Sequence, residues 1–254
     1  MKAFIFAAGL GTRLRPLTLD RPKALVEVAG KTMLERTFDT LKEAGFTDFV
    51  VNVHHFADQI VDYLERNDNF GCNVAISDER EMLLDTGGAI KAAQDLLGDE
   101  PFLVHNVDII SNLDIRSFVS GGLDGALARL VVSDRQSSRK LLFDAENCIC
   151  GWHNVKTGET KGLAASEPEL VSRELAFSGI HLISPEVFSL MDSWPQNSPS
   201  SISTWRKVIA VAFSLQFPKV SSCRIWEPPK PSPHSRAVYN TLSSHSAKRA
   251  AERS

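Results

Sequence analysis

The sequence predicts an α/β fold with a doubly wound, mostly parallel sheet and an irregular C-terminal tail. Residues 2–107 alternate between apolar runs of strand length and segments with helical spacing, in the order β-α-β-α-β-α-β. This order implies crossover connections and helices on both faces of a parallel sheet. Hydrophobic residues make up 43% of the 254 residues, which is enough for a sizeable core and excludes a globally disordered chain.

Seven elements account for the alternation. They are a strand at Lys2–Ala8, a helix at Met33–Ala44, a strand at Asp48–Val53, a helix at Ala57–Glu65, a strand at Cys72–Ser77, a helix at Gly87–Leu97 and a strand at Pro101–Val107. Gly45 follows the first helix at the position of a C-cap. The second strand carries Phe-Val-Val-Asn-Val, a run typical of a parallel strand covered on both faces. Two later strands are predicted at Ala126–Val132 and Phe177–Ile183.

The charge distribution divides the chain near residue 192. Residues 1–192 carry 29 acidic and 19 basic residues, whereas residues 193–254 carry 2 acidic and 9 basic residues. Seven of the twelve prolines also lie in the second segment. We therefore predict a folded domain at 1–192 and a divergent, Pro/Ser-rich basic tail at 193–254.

Composition indicates a cytoplasmic protein without membrane or nucleic-acid partners. No apolar run is long enough to span a bilayer, and the apolar N-terminus runs directly into a polar loop, as a buried first strand would. The four cysteines lack metal-ligand spacing and are expected to be reduced thiols. His54-His55 and Cys148-x-Cys150 each stand alone, whereas structural zinc takes four ligands. The basic tail has no recognisable nucleic-acid-binding module.

A glycine-bearing loop follows the first strand and predicts a phosphate site. Gly9 and Gly11 would let the backbone approach a phosphate closely, and Arg13 would neutralise its charge. A tight strand-to-helix turn is the alternative. The loop lacks the Gly-Lys-Ser/Thr ending of a Walker motif and the third glycine of a dinucleotide fingerprint, so neither motif fits.

A lysine held in place by a proline lies ten residues after this loop. Pro22 fixes the backbone immediately before Lys23. Most lysines are solvated surface charges, but the distance from the phosphate loop makes Lys23 a candidate phosphate clamp.

The two segments Gly9–Thr18 and Arg21–Val26 together resemble the signature of the sugar-1-phosphate nucleotidyltransferases. The resemblance implies a Rossmann-like nucleotidyltransferase fold over residues 1–192. It also implies that the loop and its arginine hold a nucleoside triphosphate while the lysine contacts phosphate. The residues given these roles are Ala8, Gly9, Gly11, Thr12, Arg13 and Lys23.

A second motif, Thr86-Gly87-Gly88, lies at the start of the third predicted helix. In the family that the chain resembles, this turn lies against the nucleotide, which gives nucleotide binding to all three residues. Paired glycines permit a close approach, and a helix N-terminus favours anionic ligands. A simple N-cap would explain Thr86 but not the two glycines.

The fourth predicted strand ends at His105-Asn106-Val107-Asp108, where ligands of doubly wound sheets bind. Its resemblance to the family's Asn-Gly-Asp pattern implies Mg²⁺ binding by Asp108 and substrate binding by Asn106, although Val107 replaces the glycine. Mg²⁺ prefers one or two carboxylates together with phosphate oxygens and water. A strand-end Asp that caps the next turn is the alternative, and His105 is interpreted as a packed histidine. Phe177-Ser178-Gly179-Ile180-His181 resembles the strand whose glycine passes close to the sugar, which implies substrate binding by Gly179.

The resemblance implies transfer of a nucleotidyl group from a nucleoside triphosphate to a sugar 1-phosphate, with release of pyrophosphate. Arg13, Lys23 and Asp108 would act by positioning and charge neutralisation, since the attacking phosphate is itself a nucleophile. Within the family, the chain looks most like the N-acetylmuramate-1-phosphate uridylyltransferases of peptidoglycan recycling. A dinucleotide-binding oxidoreductase is disfavoured by the glycine spacing. The base, the sugar and the oligomeric state stay open.

The tail lacks the second metal-binding Asp that the resemblance implies near the C-terminus. When codons for residues 220–229 are read from their third base, they permit Leu-Lys-Leu-Ser-Asp-Leu-Gly-Thr-Pro, which contains such a motif. Residues 201–207 read in the same way permit Asp-Phe-Tyr-Leu-Glu-Lys. We therefore hypothesise a frameshift near residues 193–200; a native divergent tail is the alternative. Loss of this Asp would leave a catalytically impaired nucleotide-binding protein on the same fold.

Overall fold

A computed structural model describes residues 1–84 and 86–191 and the backbone of one further strand at 223–226. The strands are β1 (Ala3–Phe6), β2 (Glu27–Val28), β3 (Lys31–Thr32), β4 (Asp48–Val53), β5 (Asn73–Asp78), β6 (Phe102–Asn106), β7 (Ala128–Ser133), β8 (Arg139–Phe143), β9 (Ile149–Asn154), β10 (Thr160–Gly162), β11 (Arg173–Ile183) and β12 (Cys223–Trp226). The helices are α1 (Met33–Glu43), α2 (Ala57–Arg66), α3 (Thr86–Ala92), α4 (Gln94–Leu97), α5 (Ile115–Ser120) and α6 (Val187–Met191).

The first half of the chain forms the parallel sheet that the sequence predicts. Its strands lie in the order β6-β1-β4-β5, and each neighbouring pair is parallel. The chain passes from β1 to β4 and β5 on one side and then crosses to β6 on the other. This reversal places a crevice at the carboxyl ends of β1 and β6, the position where doubly wound sheets bind ligands.

Alternation along β1 distributes apolar side chains to both faces of the sheet. Phe4 packs in a cluster with side chains of α3, α4 and α6, whereas Ile5 packs in a second cluster with side chains of α1, α2 and α5. Both residues are fully buried. Helices therefore cover both faces, as in a doubly wound fold.

The second half extends the sheet with antiparallel strands. The long strand β11 pairs with β6 along one stretch and with β7 and β8 along others, and the ladder continues through β9 to β10. The register of β11 against β7 shifts between Phe177 and His181, around Gly179. The irregularity bends the strand next to the end of β6.

The structure corrects two of the predicted elements. The strand predicted at Lys2–Ala8 ends at Phe6, because the backbone N–H groups of Ala7 and Ala8 both bond the Asn52 side chain. The helix predicted at Gly87–Leu97 is divided into α3 and α4 at Ala93, whose ψ of 5° leaves the helical range. The β2–β3 hairpin, helices α5 and α6 and strands β8, β9, β10 and β12 were not predicted.

The tail at 193–254 lies outside the described residues except for β12, which pairs in parallel with β7. The hypothesis of a frameshift there therefore stays a prediction. Within the described part of the chain, every helix is too short or too polar to cross a lipid bilayer.

Candidate active site

A cavity of about 510 Å³ opens at the carboxyl ends of β1 and β6. Six residues singled out from the sequence line it, namely Ala8, Gly9, Lys23, Thr86, Asn106 and Asp108. They come from four separate segments of the chain, and the reversal of strand order beside β1 brings them together.

The loop after β1 has a backbone that requires glycine at one position. Gly11 adopts a φ of +62°, and a Cβ atom there would lie 2.9 Å from Cγ2 of Thr18 and 3.2 Å from Cβ of Lys23. Thr18 is buried, and its hydroxyl donates a hydrogen bond to the carbonyl oxygen of Gly11 at 2.9 Å. Gly11 therefore closes the loop onto the segment that carries Lys23.

Lys23 and Asp108 form an ion pair at the cavity wall. The side chains are 22% and 35% exposed, so the pair is partly screened by solvent. Lys23 begins a short 3₁₀ turn after Pro22, and the next residue, Ala24, is fully buried in the core. This anchoring supports the prediction that Lys23 is held in place.

Four other candidate residues are not among those that line the cavity. Thr12 and Arg13 are exposed on a 3₁₀ turn, and they are not among the side chains that line the cavity. Gly87 and Gly88 form the first turn of α3 behind Thr86, with Gly87 buried. Their nucleotide-binding roles stay predictions.

Gly179 lies directly against Asn106. A Cβ atom on Gly179 would lie 2.9 Å from Nδ2 of Asn106 and 3.0 Å from Cγ1 of Ile109, and its φ is +77°. The bent strand β11 therefore supports the amide that lines the cavity, and only glycine fits this backbone without displacing its neighbours.

Two buried polar residues near the cavity were not singled out from the sequence. Asn52, near the end of β4, is 2% exposed, and Glu79, just after β5, is 3% exposed. Nδ2 of Asn52 donates a hydrogen bond to Oε1 of Glu79 at 2.8 Å. Burial raises the pKa of Glu79, and the neighbouring charge of Asp78 raises it further. The hydrogen bonds that Glu79 accepts from Asn52 and Leu84 lower its pKa, as does the nearby His54. An amide inside an apolar strand was the signal that could have identified Asn52.

The side chains of His105, His54 and His55 contact other parts of the protein. Burial lowers the pKa of His105 to about 4, so this side chain is uncharged at neutral pH. Its Nδ1 lies 2.9 Å from the carbonyl oxygen of Asn106. Nδ1 of His54 lies 2.7 Å from the backbone oxygen of Glu79, while the ring of His55 packs on Phe56.

The cavity offers one carboxylate that could hold a divalent cation. Among the described residues, no group of three or more His, Cys, Asp or Glu side chains forms a metal-binding cluster. Asp108 brings one carboxylate to the cavity. A single carboxylate with substrate phosphate oxygens and water is a normal ligand set for Mg²⁺.

Comparison with known proteins identifies the family. The family described as nucleotidyl transferase matches residues 2–126. The N-acetylmuramate alpha-1-phosphate uridylyltransferase of Caulobacter vibrioides is 37% identical over 206 residues, which are 76% of this chain and 82% of that protein. The chain belongs to the nucleotidyl transferase family. It is an enzyme of the nucleotidyltransferase class, so the family predicted from the sequence is confirmed and the oxidoreductase alternative is wrong.

Two other relatives are similar to the chain over about half of their own length. The N-acetylmuramate alpha-1-phosphate uridylyltransferase of Neisseria meningitidis is 46% identical over 114 residues, 45% of this chain and 49% of that protein. Mannose-1-phosphate guanyltransferase 2 of Candida glabrata is 31% identical over 211 residues, 80% of this chain and 54% of that protein. The chain thus spans about half the length of these two relatives.

Solved structures share the fold at low sequence identity. The inositol-1-phosphate CTP transferase from T. maritima matches with a TM-score of 0.67 at 17% identity, covering 95% of this chain and 94% of that one. HddC from Yersinia pseudotuberculosis, complexed with GMP-PN, matches with a TM-score of 0.61 at 23% identity, covering 89% and 90% of the two chains. These likenesses confirm the predicted fold class.

Proposed function

We propose that this nucleotidyltransferase joins a nucleoside triphosphate to a sugar 1-phosphate, with UTP and N-acetylmuramate 1-phosphate as the preferred pair. The observation that carries the proposal is the cavity where Gly9, Lys23, Asn106 and Asp108 converge. The choice of substrates is supported by the two uridylyltransferases, at 37% and 46% identity. Free thiols at Cys72 and Cys150 support a cytoplasmic location.

The chemistry follows from the charges around the cavity. A phosphate oxygen of the sugar phosphate attacks the α-phosphorus, a P–O bond forms, and the bond to pyrophosphate breaks. Lys23 stabilises the charge on the leaving phosphates, and the backbone around Gly9 allows them to approach closely. Asp108 would hold Mg²⁺, which would supply further neutralisation of the phosphate oxygens. Arg13 lies on the exposed turn Thr12–Leu14 and does not line the cavity, so its role would require its side chain to reach the triphosphate from outside.

The ion pair between Lys23 and Asp108 makes phosphate binding by Lys23 and cation binding by Asp108 depend on each other. Lys23 neutralises the carboxylate when no nucleotide is bound. A bound triphosphate would compete for the ammonium group of Lys23, which would free the Asp108 carboxylate to hold a divalent cation. Nucleotide and cation together would therefore give a new partner to each member of the Lys23–Asp108 pair, so that neither side chain is left unpaired.

A screen of nucleotides against sugar phosphates tests the proposed substrates. Pyrophosphate release is measured with UTP, GTP, CTP and dTTP, each combined with the 1-phosphates of N-acetylmuramate, mannose and glucose. We expect UTP with N-acetylmuramate 1-phosphate to give the highest kcat/KM. A higher kcat/KM with GTP and mannose 1-phosphate would overturn the choice of substrates while leaving the reaction class intact.

The contact between Gly179 and Asn106 predicts how a methyl group added at Gly179 changes the binding of the sugar phosphate. Gly179→Ala is expected to weaken sugar-phosphate binding by about tenfold, because the added Cβ displaces the Asn106 amide. The nucleotide Kd should change by less than about twofold. Titration calorimetry measures both constants.

Gly158→Ala is the matched control for Gly179→Ala. Gly158 also has a positive φ, of +73°, but its Cβ position has no atom within 4 Å. It should share the backbone strain, about 1–3 kcal/mol, without the loss of sugar-phosphate affinity. Equal losses of affinity in the two variants would contradict a role for Gly179 in placing Asn106.

A catalytically impaired nucleotide-binding protein is the second candidate function. The observation that favours it is the single carboxylate, Asp108, that the described residues bring to the cavity. The frameshift hypothesis gives a cause, because the Trp226-Glu227 codons fix the Gly of the motif read in the other frame.

Sequencing the coding DNA and expressing both reading frames separates the two candidates. An impaired protein should bind UTP but release pyrophosphate about 10²-fold more slowly than the chain whose tail comes from the other frame. Equal rates would exclude impairment. A coding DNA whose other frame encodes no Asp-x-Gly motif would exclude the frameshift.

A further inference from the structure

The two walls of the cavity are joined by a chain of hydrogen bonds that is buried around Asn52 and partly buried at Leu84. On the first wall, Oδ1 of Asn52 accepts hydrogen bonds from the backbone N–H groups of Ala7 at 2.7 Å and Ala8 at 3.2 Å. These two residues lead into the glycine loop and line the cavity. Asn52 therefore fixes the direction in which the loop leaves β1.

On the second wall, Glu79 holds the segment that precedes α3. Its Oε2 accepts a hydrogen bond from the backbone N–H of Leu84 at 3.1 Å, and Leu84 lines the cavity next to Thr86. The backbone of Glu79 is itself fixed, because its N–H bonds the carbonyl oxygen of Val53 at 2.8 Å. The Asn52–Glu79 hydrogen bond thus connects residues 7–8 with residue 84.

Donor and acceptor identities in this chain are fully determined. Two backbone N–H groups require an oxygen from Asn52, so its amide NH₂ must face Glu79. Glu79 then receives one donor on each of its carboxylate oxygens. Neither residue has an atom that can change roles without placing two donors or two acceptors in contact.

We propose that Asn52 and Glu79 are positioning residues that couple the glycine loop to the Leu83–Leu84 segment and set both in the nucleotide-binding geometry. Asn52 lines the cavity and Glu79 does not, but the role proposed for both side chains requires no contact with the nucleotide. The proposal rests on the proposed function for its effect on nucleotide binding, but the coupling itself is a property of the protein without ligand.

The coupling is tested by amide hydrogen exchange on the ligand-free protein. Glu79→Gln puts an NH₂ group against either the Asn52 amide or the Leu84 N–H. We expect faster exchange at Leu84 and also at Ala7 and Ala8, whose N–H groups bond Asn52 rather than Glu79. An increase confined to the residues around 79–84 would overturn the coupling, whether or not the protein binds nucleotide.

The double substitution Asn52→Asp with Glu79→Gln provides the rescue. The carboxylate introduced at position 52 would accept from Ala7 and Ala8 with one oxygen and from the amide introduced at position 79 with the other. The oxygen of that new amide would still accept from Leu84. Every donor again meets an acceptor, and the net charge is unchanged. We expect exchange at Ala7, Ala8 and Leu84 to return close to wild type in the double variant.

Nucleotide binding gives the functional readout. Each single variant should raise the Kd for Mg-UTP by roughly 10- to 100-fold, because a buried group is left without its partner. The double variant should restore the Kd to within about threefold of wild type. Titrations are made well below the unfolding temperature of each variant, and a Kd that does not change in a folded single variant would overturn the positioning role.

The nucleotide affinity of the Asn52→Asp single variant should depend on pH. Two carboxylates in contact raise each other's proton affinity, so one proton is held between them at low pH and is lost as the pH rises. Nucleotide affinity should therefore be closest to wild type at low pH and fall as the pH rises. His54 and Asp78 are the other ionisable groups that act on Glu79, so His54→Gln and Asp78→Asn are made in the same background. A Kd ratio to wild type that does not vary with pH would contradict the hydrogen-bond assignment.

Asn73→Asp is the matched control for a new like-charge contact. Asn73 donates to Asp48 at 3.0 Å across the same two strands, β4 and β5, but at the exposed opposite end of the sheet. Its Kd for Mg-UTP should stay within about twofold of wild type.

A wild-type protein that binds no nucleotide would refute the proposed function, while the exchange experiment would still decide the coupling.

Discussion

Replacing Lys23 with Ala is expected to lower kcat/KM by about 10²–10³-fold, the range found when one preorganised charge-stabilising donor is removed. Two effects act in the same direction. The triphosphate loses a cation at the cavity wall, and the Asp108 carboxylate is left without its ion-pair partner and repels the incoming phosphates. The Kd for UTP in the absence of Mg²⁺ should therefore rise as well.

The control for Lys23→Ala is Lys31→Ala. Lys31 forms ion pairs with Glu35 and Asp39 on an exposed surface of α1. Loss of an exposed pair of this kind should change kcat/KM by less than about twofold. Steady-state kinetics and UTP titrations on both variants make the comparison. If Lys23→Ala behaves like Lys31→Ala, Lys23 is not a phosphate clamp.

Replacing Asp108 with Asn is expected to lower kcat by about 10²-fold while leaving nucleotide affinity intact or stronger. The amide keeps the size of the side chain but removes the negative charge that competes with phosphate for Lys23. UTP should bind at least as tightly as wild type without Mg²⁺, and the Mg²⁺ concentration that gives half-maximal turnover should increase. Of the two substitutions at this ion pair, only Lys23→Ala is therefore expected to weaken metal-free UTP binding.

The double variant Lys23→Ala with Asp108→Asn tests that reasoning. Because the unpaired carboxylate is removed together with its partner, the double variant should bind UTP more tightly than Lys23→Ala alone. Asp39→Asn, on the surface of α1, is the control for the loss of one carboxylate. Weaker metal-free UTP binding by Asp108→Asn than by wild type would contradict competition within the pair.

The sequence predicted those parts of the fold that depend on local patterns. The strand at Asp48–Val53 and the helix that begins at Met33 lie where the apolar spacing placed them, because each buries one continuous stripe or run in the core. The cavity was also predictable, since the carboxyl ends of the parallel strands bring Gly9 and Asp108 to one edge of the sheet.

What the sequence did not predict depends on contacts between distant segments. The end of β1 at Phe6 is set by Asn52, 45 residues further along the chain from Ala7. Glu79 has a neighbouring acid in Asp78 and lies in a polar turn, so its burial has no local signature. The support of Asn106 by Gly179 requires the shift in register within β11, which arises from the pairing with β7 rather than from the motif itself.

Tracing the phosphorus atoms of the nucleotide tests the central proposal most directly. UTP carrying a radiolabel at the α-phosphorus is incubated with the protein, Mg²⁺ and N-acetylmuramate 1-phosphate, and a parallel sample carries the label at the γ-phosphorus. We expect the α label in a nucleotide sugar and the γ label in pyrophosphate, with neither product formed when the sugar phosphate is omitted. Release of the γ label as inorganic phosphate, or an α label that stays in free nucleotides while UTP binds normally, would contradict nucleotidyl transfer by this protein.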